Sequence, residues 1–124
     1  MQGMTTLDIG NKLVALVRAG QGQEAIETLY AADIVSVEAM APPGGSRETT
    51  GVAACLAKGK HWREANELHG AKVEGPFPHG DRFAAVLTYD ITPRASGKRT
   101  TLAEVAVYTV KNDKIVREEF FYQM

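Results

Sequence analysis

A single cysteine, Cys55, rules out an internal disulfide and a thiolate metal cluster. Neither sign of charge is in excess: 14 Lys and Arg against 15 Asp and Glu leave a net charge of −1. Nothing therefore draws nucleic acid or an anionic membrane surface, and nothing marks an acidic, disordered chain. No apolar run approaches the roughly 18 residues that a membrane helix needs. Residues Met1–Gly10 lack the basic start and apolar stretch of a secretion signal. A reduced, cytoplasmic setting is the expectation. There is no internal repeat and no low-complexity segment. What is present is the balance of an ordinary globular protein, 44% hydrophobic and 23% charged. The 124 residues suit a single domain spanning 1–124, long enough to bury a core.

The first third reads as helical. Thr5-Thr6-Leu7-Asp8 fits a capping box, and Leu13, Leu16 and Val17 follow on one face. Gly20 ends that helix cheaply in a left-handed conformation. A second short helix carries Ala25, Ile26, Leu29 and Tyr30 on one side. Ile34–Ala39 reads as a strand. Ala41–Thr50, with Pro42-Pro43-Gly44-Gly45-Ser46, reads as a loop and a candidate lid. Thr50 is placed to cap a third helix, whose apolar stripe is Val52, Cys55, Leu56, Gly59 and Trp62 and which runs to about Leu68. Four strands follow: His69–Glu74, Arg82–Thr92, Arg99–Val110 and Ile115–Tyr122. Pro76–Asp81 and Arg94–Lys98 form turns, and Asn112-Asp113 forms a two-residue hairpin turn, both residue types tolerating positive φ. Helices followed by antiparallel strands make an α+β domain.

Alternation assigns the strand faces. Phe83, Ala85, Leu87, Tyr89 and Ile91 face the helices. So do Leu102, Ala106, Tyr108 and Val110, with Glu104 among them. In the last strand Val116, Glu118, Phe120 and Tyr122 face inward, and Ile115, Arg117, Glu119 and Phe121 outward. Alternation alone turns Val35, Val37 and Ala39 inward. The outer face also carries apolar side chains, Ala103, Val105 and Val107. A second copy of the chain is the expected cover, giving a homodimer through the outer sheet face.

Three segments carry a resemblance: Leu29-Tyr-Ala-Ala-Asp-Ile-Val-Ser-Val-Glu38, the Thr50-Gly51 helix opening, and the closing hairpin Tyr108–Tyr122. With the order of elements, they resemble the SnoaL-like group of the nuclear transport factor 2-like (ketosteroid isomerase-like) superfamily, over nearly the whole chain. The resemblance implies a cone, in which a curved antiparallel sheet wraps three N-terminal helices and leaves a pocket. Such cones serve isomerases, cyclases, dehydratases, hydrolases and non-catalytic binders, so the fold alone names no reaction. In ketosteroid isomerase the base is an aspartate five residues after the entry aspartate; counted from Asp33, that position is Glu38. The resemblance thus turns Glu38 inward, against the alternation, and a bulge is one way to reconcile the two. The isomerase's oxyanion donors correspond to Leu13 or Val14 and to Ala106, which cannot donate. A classical ketosteroid isomerase is therefore not expected.

The candidate catalytic residues are Glu38, Glu104, Glu118 and His69. Burial and mutual repulsion raise carboxyl pKa values towards those of useful acids and bases. The bland alternative pairs these glutamates with Arg47, Arg63, Arg99 or Arg117. His61 and His79 read as solvated or locally bonded, and Cys55 as core. Trp62, Tyr89, Tyr108, Phe120 and Tyr122 are the candidate ligand-binding surface for a small aromatic or apolar molecule. No metal-ligand spacing, nucleophile elbow or phosphate-binding glycine loop occurs, so neither metal nor cofactor is expected. A non-catalytic module binding a small molecule or a protein remains the alternative.

Overall fold

The Thr5 hydroxyl accepts from the Asp8 amide at 3.1 Å while Asp8 accepts from the Thr5 amide at 3.0 Å. This capping box starts α1 (Thr6–Arg18) in the computed structural model, which describes residues 3–123. The inward stripe of α1 is Ile9, Gly10, Leu13 and Val14, with Leu16 and Val17 packed beside it. Gly10 is needed for close approach: a Cβ there would lie 2.8 Å from Pro76 and 3.2 Å from the Phe83 ring. Helix α2 (Gly22–Leu29) runs directly into β1 (Tyr30–Val37), so Tyr30 begins the strand rather than ending the helix.

The segment read as a loop ends in a short strand, β2 (Glu48–Thr50), which pairs antiparallel with β1. The Arg47 guanidinium closes the base of the remaining loop on the Glu38 carbonyl at 3.0 Å. Gly51, at φ +95°, occupies the N-cap of α3 (Val52–Ala65), with no side-chain cap from Thr50. This helix ends three residues short of the expected Leu68, because β3 (Asn66–His79) begins there. Only Cys55 of α3 is fully buried. The helix is a partial cover over one end of the sheet.

Strands β4 (Arg82–Pro93), β5 (Thr100–Lys111) and β6 (Lys114–Phe121) complete a six-stranded sheet in the order β2-β1-β6-β5-β4-β3. The expected turn at Pro76 is instead an irregularity inside β3, which continues to a tight turn at Gly80-Asp81. Asn112 and Asp113 adopt φ +52° and +63°, as the hairpin between β5 and β6 requires. The sheet is not wholly antiparallel, since β1 and β6 run parallel. They are joined by most of the chain rather than by a hairpin, so nothing forces them to oppose.

The inward row on β4 matches the alternation: Phe83, Ala85, Leu87 and Ile91 are buried and Tyr89 half-buried. In β6 one assignment reverses. Val110 pairs with Ile115 while Thr109 pairs with Arg117, so an extra residue bulges between them. The bulge returns Ile115 to the core at 0% exposure, although simple alternation puts it outside. No helix among the described residues is long and apolar enough to cross a membrane.

Candidate functional site

Sheet register brings the polar site together. Ser36 of β1 lies opposite Glu118 of β6, Glu118 opposite Tyr108 of β5, and Tyr108 opposite Phe83 of β4. This row crosses the concave face from β1 to β4. Inward residues of β1 are therefore Ile34 and Ser36, with Glu38 next in the same phase. The parallel register with β6, not a bulge at Glu38, decides its direction.

Glu38 lies just past the end of β1. Its Oε1 is 2.9 Å from the Lys58 ammonium, and its Oε2 accepts from the Tyr122 hydroxyl at 3.0 Å. Lys58 also donates to Ser36 Oγ at 2.6 Å and stands 5.4 Å from the centre of the Phe120 ring. Glu118, 4% exposed, accepts from the Tyr30 hydroxyl. Burial pushes its carboxyl above the ordinary range; hydrogen bonds from Tyr30 and Ser36, and then the Lys58 charge, draw it part of the way back. A continuous polar chain thus runs from Tyr30 in the core through Glu118, Ser36, Lys58 and Glu38 to Tyr122 at the rim.

Glu104 differs from the other two. It sits on β5 opposite Leu87, facing the same concavity. No hydrogen bond or ion pair with a described residue holds its charge. Desolvation, followed by the charges of Glu38 and Glu118, raises its pKa from 4.5 to about 7, with Lys58 opposing. A carboxylic acid that titrates near neutrality can give or take a proton at small cost.

The aromatic rim is built from three elements. Trp62 of α3 tilts against Tyr89 of β4, with ring centres 5.2 Å apart at 52°. Phe120 and Tyr122 flank Lys58 and Glu38, and all four rings are half-buried. Tyr108 is deeper, 3% exposed and stacked on Phe83 at 4.8 Å. Its ring is core packing, and burial raises its hydroxyl pKa further above the usual range. Burial likewise lifts the Cys55 thiol to about 11, so Cys55 is neutral.

His69 is not brought to this site. Leu68 pairs with Ile91 and Gly70 with Asp90, which makes His69 the extra residue of a bulge. Its exposed ring bonds Thr92 Oγ1 at 2.7 Å, away from the concavity. The arginines do not pair with the site glutamates either. Arg99 binds Asp90 and Arg117 binds Glu119, both on the sheet's outer side. The cation is Lys58, which sequence reading passed over. Its signal was present: Lys58 follows Cys55 by three residues and precedes Trp62 by four, so the stripe that turns those two inward turns Lys58 inward as well. Ser36 and Tyr30 were also missed, being polar groups on strand residues whose partners lie far away in the chain.

At the positions corresponding to the isomerase's oxyanion donors stand Leu13, Val14 and Ala106, exposed by 3%, 2% and 0%. Among the described residues, no three His, Cys, Asp or Glu side chains are arranged to hold a metal ion. An open depression bounded by Met4–Leu7, Pro78–Gly80 and Val110–Asp113 lies at the hairpin end of the sheet, remote from the carboxylates.

Comparison with known proteins bears on the fold and the family. A protein from Mesorhizobium loti, provisionally described as a SnoaL-like polyketide cyclase and also as a carbohydrate phosphatase, is 42% identical. The match covers 96% of this chain and 100% of that one, with a TM-score of 0.91. A protein from Pseudomonas putida, provisionally described as a polyketide cyclase, is 22% identical over 98% of this chain and 94% of that one, with a TM-score of 0.71. One from Bacillus subtilis, provisionally described as an isomerase, is 17% identical over 97% of this chain and 90% of that one, with a TM-score of 0.74. The last two show likeness of fold alone. No curated protein matches. The sequence pattern of the SnoaL-like domain fits residues 4–122, every helix and strand of the cone included, and the chain belongs to that family.

Proposed function

We propose that this protein is an acid/base enzyme of the isomerase or cyclase kind, acting on a small, largely apolar and aromatic metabolite held at the mouth of the cone. One observation carries the reading: Glu38 and Glu104 face one aromatic-rimmed concavity, Glu38 ion-paired to Lys58 and Glu104 without a partner among the described residues, where desolvation raises its pKa. Glu38, as carboxylate, takes a proton from carbon next to a carbonyl. Glu104, as acid, supports the carbonyl oxygen as charge moves onto it. The proton then returns at another carbon, or the new nucleophilic carbon adds to a second carbonyl carbon of the same substrate, closing a ring as that C=O π bond breaks and its oxygen takes up the proton held by Glu38. Glu104 supplies a donor where Leu13, Val14 and Ala106 supply none. The description of the Mesorhizobium relative as a cyclase supports this class. Phosphate-ester hydrolysis is disfavoured, because the one ammonium an entering phosphate meets is already ion-paired to Glu38.

Glu38→Gln should lower turnover of an identified substrate by about 10²-fold or more, measured at saturating substrate. Unchanged turnover would remove Glu38 from the mechanism. The second reading, a binding module without chemistry, draws on Glu38 being already satisfied by Lys58 and Tyr122. It stands if ligand binds and neither glutamate matters to any turnover.

We also propose a homodimer through the outer sheet face. Val105 and Phe121 are 39% and 52% exposed and lie side by side across β5 and β6, with Val86 next to Val105 on β4. A second copy covers this row by symmetry. Light scattering should give twice the chain mass, and Phe121→Glu should return it to the monomer. A strict monomer at high concentration refutes the dimer.

A further inference from the structure

Lys58 reaches from α3 to the concave face and is held there by one carboxylate and one hydroxyl. Its ammonium is committed to Glu38 Oε1 at 2.9 Å and Ser36 Oγ at 2.6 Å, above the Phe120 ring. Ser36 is wholly buried on β1, so one anchor is rigid. A lysine side chain is long and flexible, and without such anchors it would swing between the two acids. Glu104 feels the charge of Lys58 without forming a bond to it.

We propose that Lys58 is a positioning residue that divides the work of the two mouth carboxylates: tethered to Glu38, it leaves Glu104 without a counter-ion and so able to hold and release the exchangeable proton. The use made of that proton rests on the acid/base reading above; the electrostatics do not. The charged and titratable groups that act on Glu104 come from every side. They are Glu38 beyond β1, Glu118 from β6, Lys58 from α3, Tyr89 from β4, Tyr108 from β5 and Tyr122 beyond β6. The tyrosines stay neutral near pH 7, because burial holds their hydroxyls above the usual range. Desolvation does most to raise Glu104, and on top of it Glu38 and Glu118 act against the one ammonium. Removing the ammonium must make Glu104 hold its proton more tightly. Removing the Glu38 charge, which also frees the ammonium, must make Glu104 release it more readily.

The test is a carboxyl-carbon NMR titration of the intact protein, with Glu104→Gln identifying the Glu104 signal. In the wild type its midpoint is expected near 7. Lys58→Met should raise the midpoint by about one pH unit, a roughly tenfold gain in proton affinity. Lys58→Arg, which keeps the charge, should restore it. Glu38→Gln should move it the opposite way, by a comparable amount. A midpoint unmoved by Lys58→Met, or moved but not restored by arginine, overturns the proposal. So does a shift of the same sign in Lys58→Met and Glu38→Gln, which would report a structural disturbance instead. Should Lys58→Met fail to fold, the sign in Glu38→Gln decides alone, an upward or absent shift overturning the idea. No substrate is needed. A protein that titrates as expected but turns nothing over would sink the enzymatic reading and leave this inference standing.

Discussion

Glu104→Gln is expected to make the protein more stable at pH 8 and, on the acid/base function proposed above, to remove most of its turnover. The folded-state pKa of Glu104 is raised from 4.5 to about 7. Below about pH 4.5 the carboxyl is protonated in both folded and unfolded chains, and its titration contributes nothing. As pH rises from there, the unfolded chain gives up its proton first, so stability falls. The fall ends once the folded protein ionises too, above about pH 7. One pH unit is worth about 1.4 kcal/mol, so the full cost is about 3 kcal/mol, and about 2 kcal/mol after discounting for the partly solvated mouth. Glutamine keeps the shape and never carries the charge. Urea unfolding should therefore show the variant about 2 kcal/mol more stable than wild type at pH 8 and nearly equal to it at pH 4. Turnover should drop by about 10²- to 10⁴-fold, the usual worth of a placed acid or base. Equal stability at both pH values would mean that Glu104 finds a partner in solution. A site residue that costs stability is the common signature of function set against folding.

Phe83→Ala should be the most damaging core substitution. Phe83 is 1% exposed, stacks on Tyr108 at 4.8 Å and lies under Gly10 of α1. It joins helix, β4 and β5 at one point. Truncating such a ring costs about 3–5 kcal/mol, the transfer loss and the residual cavity acting together. Typical domains have only about 5–15 kcal/mol in total, so the midpoint of thermal unfolding should fall by about 10 °C or more. Phe83→Leu should cost much less. Tyr108 is the register neighbour of Glu118, so Phe83→Ala should also loosen the polar row. Scanning calorimetry of the two variants checks the order, and equal midpoints would mean that the cavity collapses.

Much of the cone can be read from short stretches. The Thr5–Asp8 cap, the Asn112-Asp113 turn and the inward phase of β4 and β5 each depend on residues within a few positions of one another. A capping box has a spacing of three, a helix stripe a period of 3.6 and a strand a period of two, and all three are visible in a linear chain. Glu104 and Glu118 were found inward by that means alone. Glu38 needed the likeness to a known family, because its own strand alternates apolar residues on both sides.

What local patterns leave open depends on pairing across distance. One extra residue at His69 and another before Arg117 reverse the face of their neighbours, moving His69 out and Ile115 in. The parallel match of β1 to β6 brings Ser36 to Glu118 and turns Glu38 towards Lys58. A bulge or a register is chosen by the energy of the whole sheet, where one slipped residue exchanges buried for solvated side chains along an entire strand. The balance of charge and the single cysteine are legible without any structure, and the latter excludes an internal disulfide. The meeting of three carboxylates with a single lysine is decided only when helix and sheet close upon each other.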